Sequence, residues 1–297
     1  MTTSLGFFLP LFGAATLAGF LGALLGVGGG VFIVPTMVLM FHLPLKIAVA
    51  ASIVSVIATS NAGGSSYVDQ HISNLKLAML LEIPTTLGAL IGSIVAVYLS
   101  EWLMLLLFSG LLAYMAFVAF RTRNLDDQRI ASGAYAKVAQ DRLSRWLGLR
   151  GRYSDHAANK VVDYQVTGAP TGIAVAFSAG TASGLLGVGG GVLKVSAMNR
   201  YMNVPMKVAV GTSKLMIGVT AAISSLIFFL AGLIHFYVVA PVALGTTLGA
   251  SLGTTVMNRF KSKQLKWLFA VLMAYLAYGM ITKALSLRFG LHLPVLT

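Results

Sequence analysis

A glycine-rich phrase occurs twice in this chain, at an ungapped spacing of 161 residues. Leu24-Leu25-Gly26-Val27-Gly28-Gly29-Gly30-Val31 returns as Leu185-Leu186-Gly187-Val188-Gly189-Gly190-Gly191-Val192. The correspondence continues downstream, where Pro44, Lys46, Ala48, Val49 and Ser52 recur as Pro205, Lys207, Ala209, Val210 and Ser213. Each copy is embedded in apolar sequence. Each glycine costs roughly 1 kcal/mol of helix propensity against alanine, so three in a row read as an unwound turn. The duplication therefore predicts two helices broken at membrane depth, one per half. Unwound backbone at that depth must be buried in protein or face water.

The membrane reading rests on composition. The chain of 297 residues is 57% hydrophobic and only 10% charged, more apolar surface than a soluble domain of this size can hide. It is expected to be an all-α, polytopic membrane protein. Leu5 to Leu25 is too long for the core of a cleavable signal and follows no basic residue, so it reads as a retained span. The absence of cysteine excludes disulfides, thiolate metal sites and cysteine nucleophiles. The net charge of +13 is concentrated: nine of the 21 basic residues lie between Arg121 and Lys160 and four more between Arg259 and Lys266. Basic residues flanking apolar segments mark cytoplasmic loops, not a nucleic-acid interface.

Ten apolar segments follow one another at about 5–25, 31–41, 45–60, 76–99, 102–120, 166–186, 192–203, 206–231, 237–257 and 265–285. Most approach the ~20 residues that cross a bilayer. The second and seventh reach only ~16–18 Å as helix and read as half-helices beginning at the glycine runs. Pro84, Leu87, Gly88 and Gly92 find partners in Pro241, Leu244, Gly245 and Gly249, at a spacing of 157 that implies a small length change in the intervening loop. The organisation is a first membrane repeat over 1–120, a basic loop over 121–165 and a second repeat over 166–297.

Five segments per half force the halves into opposite orientations. Basic Arg259-Phe260-Lys261-Ser262-Lys263 stands where the first half has Ser100-Glu101, which agrees. Two inverted five-segment repeats follow, with the loop cytoplasmic and both termini outside. Within the loop, Tyr135, Val138, Ala139, Trp146 and Leu147 fall near one helical face beside Arg142, Arg145 and Arg150. That spacing suggests a helix lying on the inner leaflet; a plain linker is the simpler reading.

Neither glycine run is a nucleotide motif. The third glycine of a dinucleotide fingerprint is replaced by Val31 and Val192, and no Gly-Lys-Ser/Thr closes a phosphate loop. Two readings remain, close helix packing or an unwound turn lining a cavity. In the second, the backbones of Gly28, Gly29 and Gly30 and of Gly189, Gly190 and Gly191 present free N–H groups and positive helix ends to the centre, where they suit an anion.

Lys194, three residues past Gly191, needs a counter-ion, and segments six to ten hold no acid. A substrate anion fits, as does Glu82 from the other half. The repeat equivalent of Lys194 is Ile33, so the site is expected to be asymmetric. Thr212, Ser213 and Lys214, opposite Ser52 in segment three, are candidates to bind a multi-oxygen anion, while the two hydroxyls can equally back-bond to their own helix. Ser60, Asn61, Gly63 and Gly64 close segment three as a polar lining or a loop. Glu82 is the acid placed well inside an apolar segment, a candidate to carry a coupling proton or to pair with a lysine. No spacing suggests a metal site, a cofactor or a hydrolytic triad, and nothing in the sequence sets an oligomeric state.

With these residues in view, the chain resembles the TauE/SafE family, the sulfite exporter family of anion transporters. The resemblance rests on Leu25 to Gly30 with Pro35 beyond, on Pro44-Leu45-Lys46 with Ala48, on Ser60 to Val68, and on the second copy from Gly187 to Ser213. It covers the chain apart from 121–165. It implies movement of sulfite, sulfoacetate or another organosulfonate across a prokaryotic inner membrane, with the bilayer, the anion and protons or sodium as partners. Pro35 has Ser196 as its equivalent, so the second break is expected to be gentler. A passive anion channel, or a sensor using the loop, are the alternatives.

Overall fold

The computed structural model describes residues 4–24, 29–69, 73–121, 135, 138–155, 160–257 and 262–289. The first half holds α1 (Ser4–Leu24), α2 (Gly30–Leu39), α3 (Leu45–Asp69), α4 (Leu75–Tyr98) and α5 (Glu101–Arg121). Then come a short α6 (Arg142–Trp146) and a hairpin of β1 (Arg150–Asp155) and β2 (Lys160–Gln165). The second half holds α7 (Ala169–Leu186), α8 (Gly191–Tyr201), α9 (Met206–Leu230), α10 (Phe236–Met257) and α11 (Ser262–Phe289). Seven of these, α1, α4, α5, α7, α9, α10 and α11, are long and apolar enough to cross a membrane, and α2 and the first part of α3 are shorter apolar helices. Leu17, Ile83, Phe117, Phe229 and Leu252 stand exposed around the bundle, as lipid-facing side chains must.

The ten expected segments are all helices, with one extension. α3 runs through Asn61, Gly63 and Gly64 to Asp69 rather than ending near Ser60. Asn74 starts α4 by accepting the Leu77 amide at 3.1 Å, and Pro170 opens the first turn of α7.

Helices from the two halves interlock. α1 packs along α10, α4 along α7, α5 along α11 and α3 along α9. Two of these seams are built on glycine. A Cβ at Gly180 would lie 2.0 Å from the Thr85 carbonyl oxygen, and one at Gly92 2.1 Å from that of Thr181. In the other seam, a Cβ at Gly249 would lie 2.0 Å from the Thr16 oxygen and one at Gly19 2.5 Å from that of Thr246. Close backbone approach of this kind joins helices where lipid supplies no hydrophobic drive.

The contacts of these glycines recur at a spacing of 161, beside the expected spacing of 157. Gly88 meets Phe177 and Gly249 meets Thr16; Gly180 meets Thr85 and Gly19 meets Thr246. Each correspondence keeps the spacing of 161, as do the starts of α3 and α9, α4 and α10, and α5 and α11. At this spacing Thr85-Thr86-Leu87-Gly88-Ala89 matches Thr246-Thr247-Leu248-Gly249-Ala250 in sequence, without a length change.

α8 folds back along the first part of α7. The Thr167 amide donates to the Met202 carbonyl at 3.2 Å, and a Cβ at Gly190 would meet the Ala179 oxygen at 2.9 Å. At one end of the bundle, the Leu45 amide donates to Glu101 Oε1 at 2.6 Å, Lys46 Nζ to the Val97 carbonyl and Lys283 Nζ to the Val38 carbonyl. The hairpin covers the other end.

In place of a single helix on the 135–150 face, the loop forms α6 and the hairpin. Gly148, left-handed at φ +59°, ends α6, and Tyr153, Val162 and Tyr164 follow a period of two. Tyr135, Leu149, Tyr153 and Tyr164 pack with Leu77, Met198, Met202 and Val208 of the bundle, whereas Trp146 is exposed. Asp141 fastens the loop to α7, accepting from the Gly168 amide at 2.7 Å and from the Ser144 amide at 3.3 Å. Burial opposes its ionisation, but the hydrogen bonds from Ser144 and Gly168 outweigh burial and hold the carboxyl below its ordinary range.

Candidate functional site

The second glycine run is a sharp break. Gly187, Gly189 and Gly190 adopt φ of +71°, +74° and +63°, a left-handed turn that side chains resist, and α8 starts at Gly191. The missing proline at Ser196 does not soften it. In the first run, Gly29 is right-handed at φ −63° and its carbonyl accepts from Phe32 and Ile33; Gly28 lies outside the described residues.

The two runs meet. A Cβ at Gly30 would lie 2.8 Å from the Gly187 oxygen and 2.9 Å from Ser52 Oγ. Ser52, fully buried, donates to the Gly187 carbonyl at 2.8 Å. Ser213, its counterpart, reaches the Gly191 carbonyl at 3.4 Å. Both serines therefore brace the unwound backbone, a third outcome beside ligand binding and back-bonding. A narrow crevice beside Gly190 is lined by Ser183 and Leu193 with Leu111 and Met115 of α5.

Lys194 is 1% exposed, and its Nζ donates to Thr220 Oγ1 on α9 at 3.0 Å. Thr220 Oγ1 lies 3.1 Å from Glu82 Oε1 and 2.9 Å from the Met216 carbonyl. A hydroxyl has one proton, so Thr220 donates to the carboxylate or to its own helix, not both. Thr86 also donates to Glu82 Oε1, at 3.1 Å. Among the described residues, Glu82 Oε2 and Ser224 Oγ are buried polar atoms without a hydrogen-bond partner. Glu82, an acid well inside a span, thus reaches the buried lysine across the halves, with one threonine between.

Thr212 sits nearer the loop. Its Oγ1 accepts from the Asn74 amide at 3.0 Å, and Asn74 Nδ2 donates to the Tyr164 hydroxyl at 3.0 Å. Burial pushes the Tyr164 phenol up against the opposing effect of Asn74, which keeps its proton in place. Lys214 is half-buried, and its carbonyl accepts from Ser60 Oγ at 2.6 Å. The expected residues therefore form a central group, Gly29, Gly30, Ser52, Gly189 to Gly191, Ser213 and Lys194, and a group closer to the loop, Thr212 and Lys214. Thr220 escaped sequence reading. Its signal is the four-residue spacing of Thr212, Met216, Thr220 and Ser224, one buried face of α9.

Comparison with known proteins agrees with this architecture. A family profile described as "Sulfite exporter TauE/SafE" matches residues 11–280. The "Probable membrane transporter protein YunE" of Bacillus subtilis (strain 168) is 24% identical over 272 residues, covering 89% of this chain and 94% of its own. A "Probable membrane transporter protein" of Xylella fastidiosa (strain 9a5c) is 26% identical over 253 residues, 85% of each chain. No solved structure matches. The chain belongs to the TauE/SafE sulfite exporter family, a family of membrane transporters and not of enzymes.

Proposed function

We infer that the chain is a secondary transporter that moves a small sulfur-containing anion, such as sulfite, sulfoacetate or another organosulfonate, across the prokaryotic inner membrane. The anion binds between two inverted repeats, which rock about it in alternating access. The matching helix bounds and seams of the two halves support the repeats. The basic loop faces the cytoplasm and both termini lie outside. Transport is coupled to protons or sodium.

One observation carries this reading. Lys194 is a buried cation in the first turn of a half-helix, where the two glycine runs meet. Its electrostatic partner, Glu82, belongs to the other repeat. A buried charge shared between moving halves suits an anion that must be held and released.

The test is uptake of radiolabelled sulfite, sulfoacetate and isethionate into proteoliposomes, compared between wild type and Lys194→Ala. Saturable uptake that weakens at least ~10-fold in apparent affinity, about 1.4 kcal/mol, supports the reading. Unchanged affinity removes Lys194 from the site. Flux running only down the anion's own gradient, indifferent to proton and sodium gradients, favours a channel instead.

A further inference from the structure

We propose that Glu82, Thr220 and Lys194 form a charge-exchange site, in which the transported anion replaces Glu82 as counter-ion of Lys194 while Glu82 takes up one proton. This deepens the transport reading above and rests on it.

The geometry supplies each part. Lys194 and Glu82 are not in direct contact; Thr220 Oγ1 stands between them at 3.0 and 3.1 Å. The indirect link leaves the ammonium two further N–H donors for an arriving oxyanion. Thr220 has an alternative acceptor ready, the Met216 carbonyl at 2.9 Å, so its hydroxyl can turn from the carboxylate without losing its hydrogen bond. Glu82 Oε2 has no partner and is the open position for the proton. Ser224, one turn further along α9, is 1% exposed with its hydroxyl also unpartnered. With Glu82 protonated, the free groups beside Thr220, namely the Lys194 N–H groups, the Ser224 hydroxyl and the carboxylic acid, are all donors. That is the complement of an oxyanion.

The surroundings leave Lys194 as the cation tied to Glu82. α4 packs on α7 and α9. α7 carries no titratable side chain; α9 contributes Lys214, six residues from Thr220, and the exposed Lys207 at its start. On α4 itself, Lys76 is exposed near the first turn.

The charge balances. Unloaded, carboxylate and ammonium cancel. Loaded with a monoanion, a neutral acid stands beside an ammonium–anion pair, and the site is again neutral. A low-dielectric interior favours keeping the same net charge throughout the cycle. One proton therefore enters from the aqueous side with each monoanion and leaves with it, so a monoanion moves without net charge and a dianion carries one negative charge.

Isethionate is the probe, because its sulfonate stays ionised across the working pH range. In wild-type proteoliposomes with an internal pH dye, one proton should accompany each labelled isethionate. An outside one pH unit more acid should accumulate it about 10-fold, whatever the membrane potential, because each anion inherits the full gradient of one proton. Sulfoacetate accumulation should respond to the potential. Glu82→Gln should lose the pH-driven accumulation, and any isethionate that still enters should no longer carry protons with it. Thr220→Val should flatten the pH profile and Thr220→Ser should restore it, which a purely structural threonine would not do. The wild-type proton count needs no variant to fold. Isethionate uptake without proton movement, or full acid-driven accumulation by Glu82→Gln, overturns the exchange and leaves transport standing. No entry of isethionate, sulfite or sulfoacetate under any gradient removes transport and the exchange together.

Discussion

Truncating Lys194 strands a buried acid, and truncating Glu82 strands a buried cation. Breaking such a pair from one side costs about 3–5 kcal/mol, whereas replacing both partners with neutral groups is far milder. Lys194→Met should therefore lower the thermal midpoint of the purified protein more than the Lys194→Met/Glu82→Gln double variant does; equal midpoints would mean the two do not interact across Thr220. Ser52→Ala removes the donor from the buried Gly187 carbonyl and should cost about 1–3 kcal/mol, read by the same melt. Lys194 and Ser52 were legible because a lysine and a repeated serine stand out in apolar sequence. Thr220 was not, because a helical threonine normally bonds its own backbone, and the Met216 carbonyl lies within reach of Thr220 at 2.9 Å.

At the level of the helices, glycine content separates packing from tolerance. Gly180→Ala drives a methyl to 2.0 Å from the Thr85 oxygen, so α4 and α7 must part; folded yield and thermal midpoint should both fall. Gly13→Ala on α1 meets nothing within 4 Å and gains up to about 1 kcal/mol of helix propensity, so it should melt at or above wild type. The loop offers a pH test. Asp141 is held ionised in the fold, so its contribution is present above the ordinary carboxylate value near 3.8 and is lost as pH falls through its lower folded value. Asp141→Ala should destabilise by about 1 kcal/mol at neutral pH, and the gap to wild type should close in strong acid. Helix positions were readable because apolar runs end at polar or proline-bearing turns. The tail of α3 was not, since Gly63 and Gly64 resemble a loop, and the hairpin was hidden because five apolar residues near one helical face also suit scattered positions in a sheet and turns.

For the molecule as a whole, the absence of cysteine makes sidedness easy to measure. A single cysteine at Arg145 should react with a membrane-impermeant maleimide only after the cell is opened, and one at His42 should react from outside; the reverse pattern would invert the proposed topology. The duplication and the charge asymmetry between Arg259 and Glu101 were enough to suggest opposed halves. The spacing of 161 in the glycine seams was harder to see, because a short match at 157 competes with it in the sequence. The pairing of α1 with α10 also imposes a schedule on biosynthesis. The face of α1 bearing Thr16 and Gly19 has its partner in residues 246–253, more than two hundred residues later in synthesis. At about 5–20 residues per second, α1 waits roughly 10–45 seconds for the helix that covers it. Until then its small-residue surface lies open to lipid, so a nascent chain stalled before α10 is left as a ready target for membrane quality control.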